Sequence, residues 1–132
     1  MKRIDVAIAI IVNDQHLLIC RRKADDSFAG YWEFPGGKVE KGESPTDCLA
    51  RELREELDIQ AEIIETFTTI QHNYPNTRVR LHPFLCRQTS GELKPLECDQ
   101  AIWIRPQDLK KYRFPEANDD LIRQIIQRLT AE

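Results

Sequence analysis

The sequence predicts an α+β domain laid out as an α/β/α sandwich, and three observations carry that prediction. Short runs rich in β-branched and aromatic residues recur between turn-forming clusters, the pattern of strands. The stretch from Ser44 to Leu57 carries the signals of a helix start followed by apolar residues at helical spacing. A second helical pattern lies near the end of the chain, so strands and helices mix along 132 residues, the usual size of one domain. Residues 1–132 are read as that one domain, since no internal repeat, low-complexity tract or linker divides them.

Taken in order, Ile4–Val12 and His16–Arg22 are apolar runs separated by the turn residues Asn13-Asp14-Gln15, a predicted hairpin. A loop from Ala24 to Tyr31 leads into Trp32-Glu33-Phe34-Pro35-Gly36-Gly37, a short strand ending in a tight turn. Ser44 suits a helix N-cap, Pro45 the first helical position and Asp47 the acid of a capping box, so a helix is expected to about Leu57. Ala61–Ile70 and Arg78–Arg87 look extended, joined through Tyr74-Pro75-Asn76-Thr77, with a turn at Ser90-Gly91. Ala101–Ile104 is a further strand and Pro106–Lys111 a single helical turn. Asn118–Leu129 places Leu121, Ile122, Ile125, Ile126 and Leu129 at the spacing of an amphipathic helix.

Composition excludes several function classes. Hydrophobic residues at 41% and charged residues at 31% are ordinary for a globular protein, and no run is long and apolar enough to span a bilayer. The N-terminal MKRIDVAIAIIV has the charge and apolar run of a signal peptide, but Asp5 interrupts it and no small-residue cleavage site follows, so a cytoplasmic protein is expected. A net charge of −3 argues against holding duplex nucleic acid by many phosphate contacts, while leaving room for a local basic cluster that binds one small polyphosphate. Cys20, Cys48, Cys86 and Cys98 are far apart and form no CxxC pair, so they are read as reduced thiols filling the core rather than a zinc site or disulfide framework. His16, His72 and His82 show no ligand spacing.

The chemistry concentrates in GKVEKGESPTDCLARELREELDI, residues 37–59. On a helix, Glu52, Glu55 and Glu56 stand at i, i+3 and i+4 and share one face, roughly a quarter of the circumference at about 100° per residue, while Leu49, Ala50, Leu53 and Leu57 cluster beside it. Three crowded carboxylates repel by about 1 kcal/mol per pair at ~4 Å in water and more in a cleft, which calls for a positive partner. Oxygen-only donors favour a hard cation, and magnesium is typically held by one or two carboxylates, substrate phosphates and waters. Gly36-Gly37 fits such a site because glycine lets backbone approach an ion or phosphate. Alone, Arg-Glu-x-x-Glu-Glu reads as a solvated face, with Arg51 and Arg54 pairing to Glu55 and Asp58.

The surrounding positions change that balance. Gly37, Glu43, Arg51-Glu52, Leu53, Glu55-Glu56 and Ile59 reproduce the spacing of the Nudix box, and at roughly one in fifteen per residue type six fixed positions match by chance about 10⁻⁷ per start. Asp58 departs from the box, which usually has glycine there; Asp tolerates the left-handed C-cap at a cost of about 1 kcal/mol. Cys20-Arg21-Arg22, Trp32-Glu33-Phe34-Pro35-Gly36-Gly37-Lys38 and Phe114-Pro115-Glu116-Ala117-Asn118 extend the resemblance to the MutT branch of the Nudix hydrolases, with Glu116 where that branch usually has proline.

The resemblance implies a mixed central β-sheet between helices and a magnesium-dependent hydrolase, with manganese as a substitute, that converts nucleoside triphosphates such as 8-oxo-dGTP to monophosphate and pyrophosphate. It implies Glu52, Glu55 and Glu56 as the acids, the Gly36 carbonyl as a metal ligand, and Arg51 as the group that orients the acids. Glu97, six residues before Trp103, matches a further metal-binding glutamate and otherwise reads as a surface loop residue. Glu55 and Glu56 are expected to hold metal, with Glu52 either a ligand or the acceptor of the water proton. Arg22, Glu33, Lys38 and Asn118 are the substrate-binding candidates. Asn118 has the donor and acceptor needed to read a purine edge, and it equally suits capping of the following helix. Phe28, Tyr31 and Trp32 stack on a base or pack, and packing suits Trp32. The expected partner is a small nucleotide, with no duplex nucleic acid and no membrane, acting on a monomer or homodimer. RNA 5′-pyrophosphohydrolases and CTP or methyl-dCTP pyrophosphohydrolases share the pattern, and a non-catalytic Nudix-like binding module is the alternative outside enzymes.

Overall fold

The computed structural model describes residues 2–24 and 29–130; Phe28 and part of the loop expected before Tyr31 lie outside the described residues. Ten elements carry the fold: β1 (Lys2–Asn13), β2 (His16–Arg21), β3 (Trp32–Glu33), β4 (Gly36–Lys38), α1 (Pro45–Leu57), β5 (Gln60–Thr66), β6 (Ile70–Tyr74), β7 (Thr77–Ser90), β8 (Gln100–Ile104) and α2 (Asp119–Thr130). Two 3-10 turns, Pro106–Lys111 and Glu116–Asn118, precede α2.

The sheet is mixed, in the order β3-β2-β1-β7-β5, with β4 on β1, β6 on β7 and β8 on β2. β1 and β7 run parallel from Lys2↔Thr77 to Ile11↔Cys86, and the other pairings are antiparallel. β1 is long enough to serve two partners in succession: Val6–Ile8 meets β4, and Val12-Asn13 meets β2. The hairpin between β1 and β2 turns on Asp14 and Gln15, both at positive φ (49° and 65°), the requirement of a type I′ turn.

Alternation along the strands sorts apolar side chains onto two faces. Ile8, Ile10, Leu17, Ile19 and Leu81 face α2, where Leu121, Ile122 and Ile125 complete one core. Ala7, Ala9, Ile11, Leu18 and Cys86 face α1, where Cys48, Leu49, Leu53 and Leu57 complete the other. The α/β/α arrangement is therefore as expected. Ala50, assigned to the apolar side of the first helix, is exposed, and Cys48 takes its place.

Two other expectations change for stereochemical reasons. Phe67 N–H donates to the Pro83 carbonyl at 3.0 Å, but Pro83 has no N–H to return the bond. The ladder breaks there, and the extended run from Ala61 to Ile70 becomes two strands, β5 and β6, the second reaching Tyr74. The single strand expected around Trp32–Gly37 is likewise two, because Phe34-Pro35 carries the chain from β2 to β1; Ala9 N–H donates to the Pro35 carbonyl at 2.8 Å.

α1 starts as read: Ser44 Oγ accepts from Asp47 N–H at 3.1 Å, and Pro45 stands in the first turn. It ends on Asp58 at φ 56°, ψ 40°, with Asp58 N–H bonded to the Arg54 carbonyl at 3.1 Å and Ile59 N–H to the Leu53 carbonyl at 3.3 Å. Asp58 stands 3.8 Å from Lys94, with both side chains more than half exposed, so the pair adds little. Asp58→Gly is expected to stabilise the protein by up to about 1 kcal/mol, partly offset by the freer unfolded chain. Urea melts of both proteins check this; a loss of stability would show that the Asp58 side chain does more than its backbone costs.

Candidate active site

α1 lies across β4, and their contact begins with two glycines. Gly36 has φ 144°, and a Cβ on it would stand 2.0 Å from the Ala7 carbonyl oxygen. A Cβ on Gly37 would stand 2.5 Å from the carboxyl carbon of Glu52. The pair also has a packing role beside the one expected of it: Gly36 admits the β1 backbone and Gly37 admits a carboxyl group from the helix.

Glu56 is the buried charged residue among those described, 6% exposed, and its Oε1 accepts from Gly36 N–H at 2.9 Å. Burial pushes its carboxyl up to about 9; the Gly36 hydrogen bond opposes that rise, and Glu33, Glu52 and Glu97 add to it. Glu52 is also raised, chiefly by burial, although Arg51 holds it down and Glu55 and Glu97 push it up. Glu97 is exposed, in a segment that backbone bonds tie to the end of α1: Lys94 N–H donates to the Leu57 carbonyl at 3.0 Å and Leu96 N–H to the Glu56 carbonyl at 2.8 Å.

Arg51 organises the rest. Its Nε and Nη2 donate to the two oxygens of Glu43 at 2.8 and 3.0 Å, its Nη1 to Glu52 at 2.8 Å and Glu55 at 3.2 Å, and its Nη2 to the Lys38 carbonyl at 3.2 Å. This bidentate fork holds the Glu43 carboxyl down at about 2, and Glu43 in turn raises the guanidinium further. Glu43 was legible only as a letter of the box; its part as the anchor of Arg51 was missed, because it precedes the helix and periodicity does not orient a loop residue.

The other candidates divide. Arg22 Nη1 and Glu33 form an ion pair at 2.7 Å, and the Glu33 charge adds to the rise of the Glu56 carboxyl. Lys38 has an exposed side chain on β4. Asn118 is half-buried in the 3-10 turn; its Nδ2 donates to the Pro115 carbonyl at 3.4 Å, and among the described residues its Oδ1 has no hydrogen-bond partner. The helix it was expected to open begins one residue later, at Asp119. Trp32 packs, edge-on to Tyr112 at 5.2 Å, and Tyr31 lies under the Arg113 guanidinium at 4.3 Å.

The donors fit a hard cation: all are oxygens, and the buried Glu56 carboxylate, crowded by Glu33, Glu52 and Glu97, gains its charged form when a cation neutralises it. Among the described residues no three such side chains converge enough to enclose an ion, because Arg51 draws Glu52 and Glu55 while Gly36 holds Glu56.

Comparison with known proteins agrees with this geometry. The model of the NUDIX domain matches residues 1–125. The chain is 37% identical over 126 residues to the CTP pyrophosphohydrolase of Escherichia coli K12, covering 96% of this chain and 93% of that protein. It is 33% identical over 126 residues to the 8-oxo-dGTP diphosphatase of the same organism, covering 95% and 98%. The solution structure of the E. coli ORF135 protein superposes with a TM-score of 0.87 at 36% identity, over 99% of this chain and 93% of that one. The box acids on α1, the sheet that carries them and a match along nearly the whole chain lead to one conclusion: the protein belongs to the NUDIX family.

Proposed function

We propose that this protein is a MutT-type nucleoside triphosphate pyrophosphohydrolase of the cytoplasm, acting with a divalent cation, magnesium or in its place manganese, on a small nucleotide. The observation that carries the reading is the buried Glu56 carboxyl, held by Gly36 N–H on the same helix as Glu52 and Glu55, which are bound by an arginine that Glu43 clamps. Neither a solvated acidic face nor a binding module without metal has need of a buried carboxyl.

In the reaction, a water oxygen bonds to phosphorus as the P–O–P bridge breaks, leaving the nucleoside monophosphate and pyrophosphate. Glu52, Glu55, Glu56, Glu97 and the Gly36 carbonyl are the groups that would hold the cation, which when bound supplies Lewis-acid stabilisation to the phosphoryl oxygens. Arg51 fixes Glu52 and Glu55 in direction. Glu52 is a ligand or takes the proton of the attacking water. Lys38 and Arg22 meet the phosphates, Arg22 from its ion pair with Glu33. Asn118 offers its free Oδ1 and an amide donor to a base edge. An 8-oxo-dGTP-like purine is the leading substrate; the 37% identity to a CTP pyrophosphohydrolase favours CTP as the second.

Chelation with excess EDTA is expected to abolish nucleotide hydrolysis and added magnesium to restore it; full activity in EDTA would reject the metal assignment. Glu56→Gln keeps size and the Gly36 hydrogen bond while removing charge, so kcat is expected to fall about 10³-fold or more without loss of metal-free thermal stability. A near-wild-type rate, or a melting temperature well below wild type, would contradict that role.

If Asn118 reads the base, Asn118→Ala removes a contact worth about 1–3 kcal/mol, and discrimination among 8-oxo-dGTP, dGTP and CTP is expected to fall roughly tenfold to a hundredfold in kcat/KM. Unchanged base ratios together with a lowered melting temperature would instead assign it a purely structural part.

A further inference from the structure

We infer that the α1 side of the sheet, beyond the first turn of that helix, is an anion site: Arg3, Arg78 and Arg80 form a cationic face that takes an oligophosphate, two or more phosphate groups in a row. Alternation and register build the face. On β7, Phe84 and Cys86 pack beneath α1 while Leu81 and Leu85 belong to the α2 core, so His82, Arg80 and Arg78 continue the α1 side. On the parallel β1, Arg3 stands opposite Arg78 and Asp5 opposite Arg80; on β6, Asn73 stands opposite Arg78 and Gln71 opposite Arg80. The helix leaves these positions uncovered. Its first turn rests on β4, where Cys48 Sγ meets the Gly37 and Lys38 carbonyls at 3.4 Å, and Gly37 is level with Ala7, nearer the middle of the sheet than Asp5 and Arg3.

Positive charge is left over on this face. Asp5 Oδ1 accepts from Arg3 Nη2 at 3.3 Å and lies 2.9 Å from His82 Nε2, so one carboxylate serves two neighbours. Among the described residues the side chains of Arg78 and Arg80 have no ion pair or hydrogen bond. Glu40 and Glu43, the acids of the loop between β4 and α1, pair with Arg51 instead. Neighbours across a sheet ordinarily match opposite charges, and like charges directly opposite are destabilising. Arg3 and Arg78 are nevertheless held opposite each other by the β1–β7 register. An anion between the strands removes that repulsion.

Residue type and spacing select the anion. A guanidinium presents a planar fork that matches phosphate in bidentate fashion. Arg78 and Arg80 rise from one strand about 6.7 Å apart, and Arg3 stands about 4.8 Å to the side, so one orthophosphate engages one fork while a phosphate chain spans several. Strand spacing of charges would also suit single-stranded nucleic acid, but that ligand needs rings on which its bases stack. His72 and Tyr74, edge to face at 4.7 Å, lie on the opposite side of β6, and the His82 ring is engaged by Asp5. The face therefore offers charge without a stacking platform. It is independent of the hydrolase reading, and removal of cations separates the two: the acids of α1 repel an anion in the metal-free protein, whereas the arginines need no metal.

The test is calorimetric titration of the full chain with sodium tripolyphosphate in excess EDTA at low salt. One tripolyphosphate per chain is expected, with orthophosphate and an unphosphorylated-end oligothymidine each about tenfold weaker or more. Arg78→Gln and Arg80→Gln are each expected to weaken tripolyphosphate about tenfold, and Lys110→Gln, in the 3-10 turn before α2, to leave it unchanged. Raising salt is expected to weaken binding steeply, as for a contact made by exposed charge. Without ligand, Arg78→Gln is expected to melt no lower than wild type, since it removes one of two opposed charges, so lost binding is not lost folding. Absence of binding in EDTA, binding unchanged by both arginine variants, orthophosphate bound as well as tripolyphosphate, or the oligonucleotide bound more tightly than either would each overturn the proposal.

Discussion

The fork of Arg51 is the interaction on which the candidate site depends. It reaches three places that the chain would otherwise leave independent: the loop before the helix through Glu43, the strand beneath through the Lys38 carbonyl, and the acidic face through Glu52 and Glu55. Half-exposed ion pairs are worth little singly, but a planar bidentate guanidinium with several fixed partners acts as a network whose geometry is set once. Like charges on α1 repel, and Arg51 is the positive group that lets them share a face in the metal-free protein. Replacing Arg51 by lysine would keep the charge and lose the fork.

The sheet supplies the second constraint. β1 takes β7 along most of its length, β4 over Val6–Ile8 and β2 at its end, so the position of Gly36 and Gly37, and through them of Glu56 and Glu52, is fixed by register with Ile8 and Ala7. The two helices settle on opposite faces because alternation has already sorted the apolar side chains. The site is thus placed by the interior, while the groups that would meet substrate stand on short strands and irregular segments.

Much of this was legible in the sequence. Helical spacing placed Glu52, Glu55 and Glu56 on one face, Ser44-Pro45 marked the start of α1, and Asp58 took the left-handed cap that its departure from glycine put in question. Pro83 broke a strand because a residue on the opposing chain failed to receive a bond, something no reading of the Ala61–Ile70 run alone reveals. The partners of Glu43 and Glu33 were hidden for the same reason: each carboxyl meets its arginine across a gap in sequence, and periodicity speaks only of neighbours on one element. The acids expected to enclose a cation sit near one another, with Arg51 and Gly36 deciding which way each points.

The parallel pairing of β1 with β7 has a consequence for how the chain is made. β1 finds its longest partner only once residues 77–90 have followed it, since β7 spans Thr77–Ser90. Until then the Ile8–Ile11 run has only the short pairings with β2 and β4, and α1 has half a floor to dock on. Nascent chains of this design therefore carry an exposed apolar strand until β7 has emerged, and vectorial order gives that strand no advantage; completion waits on a contact of high sequence separation.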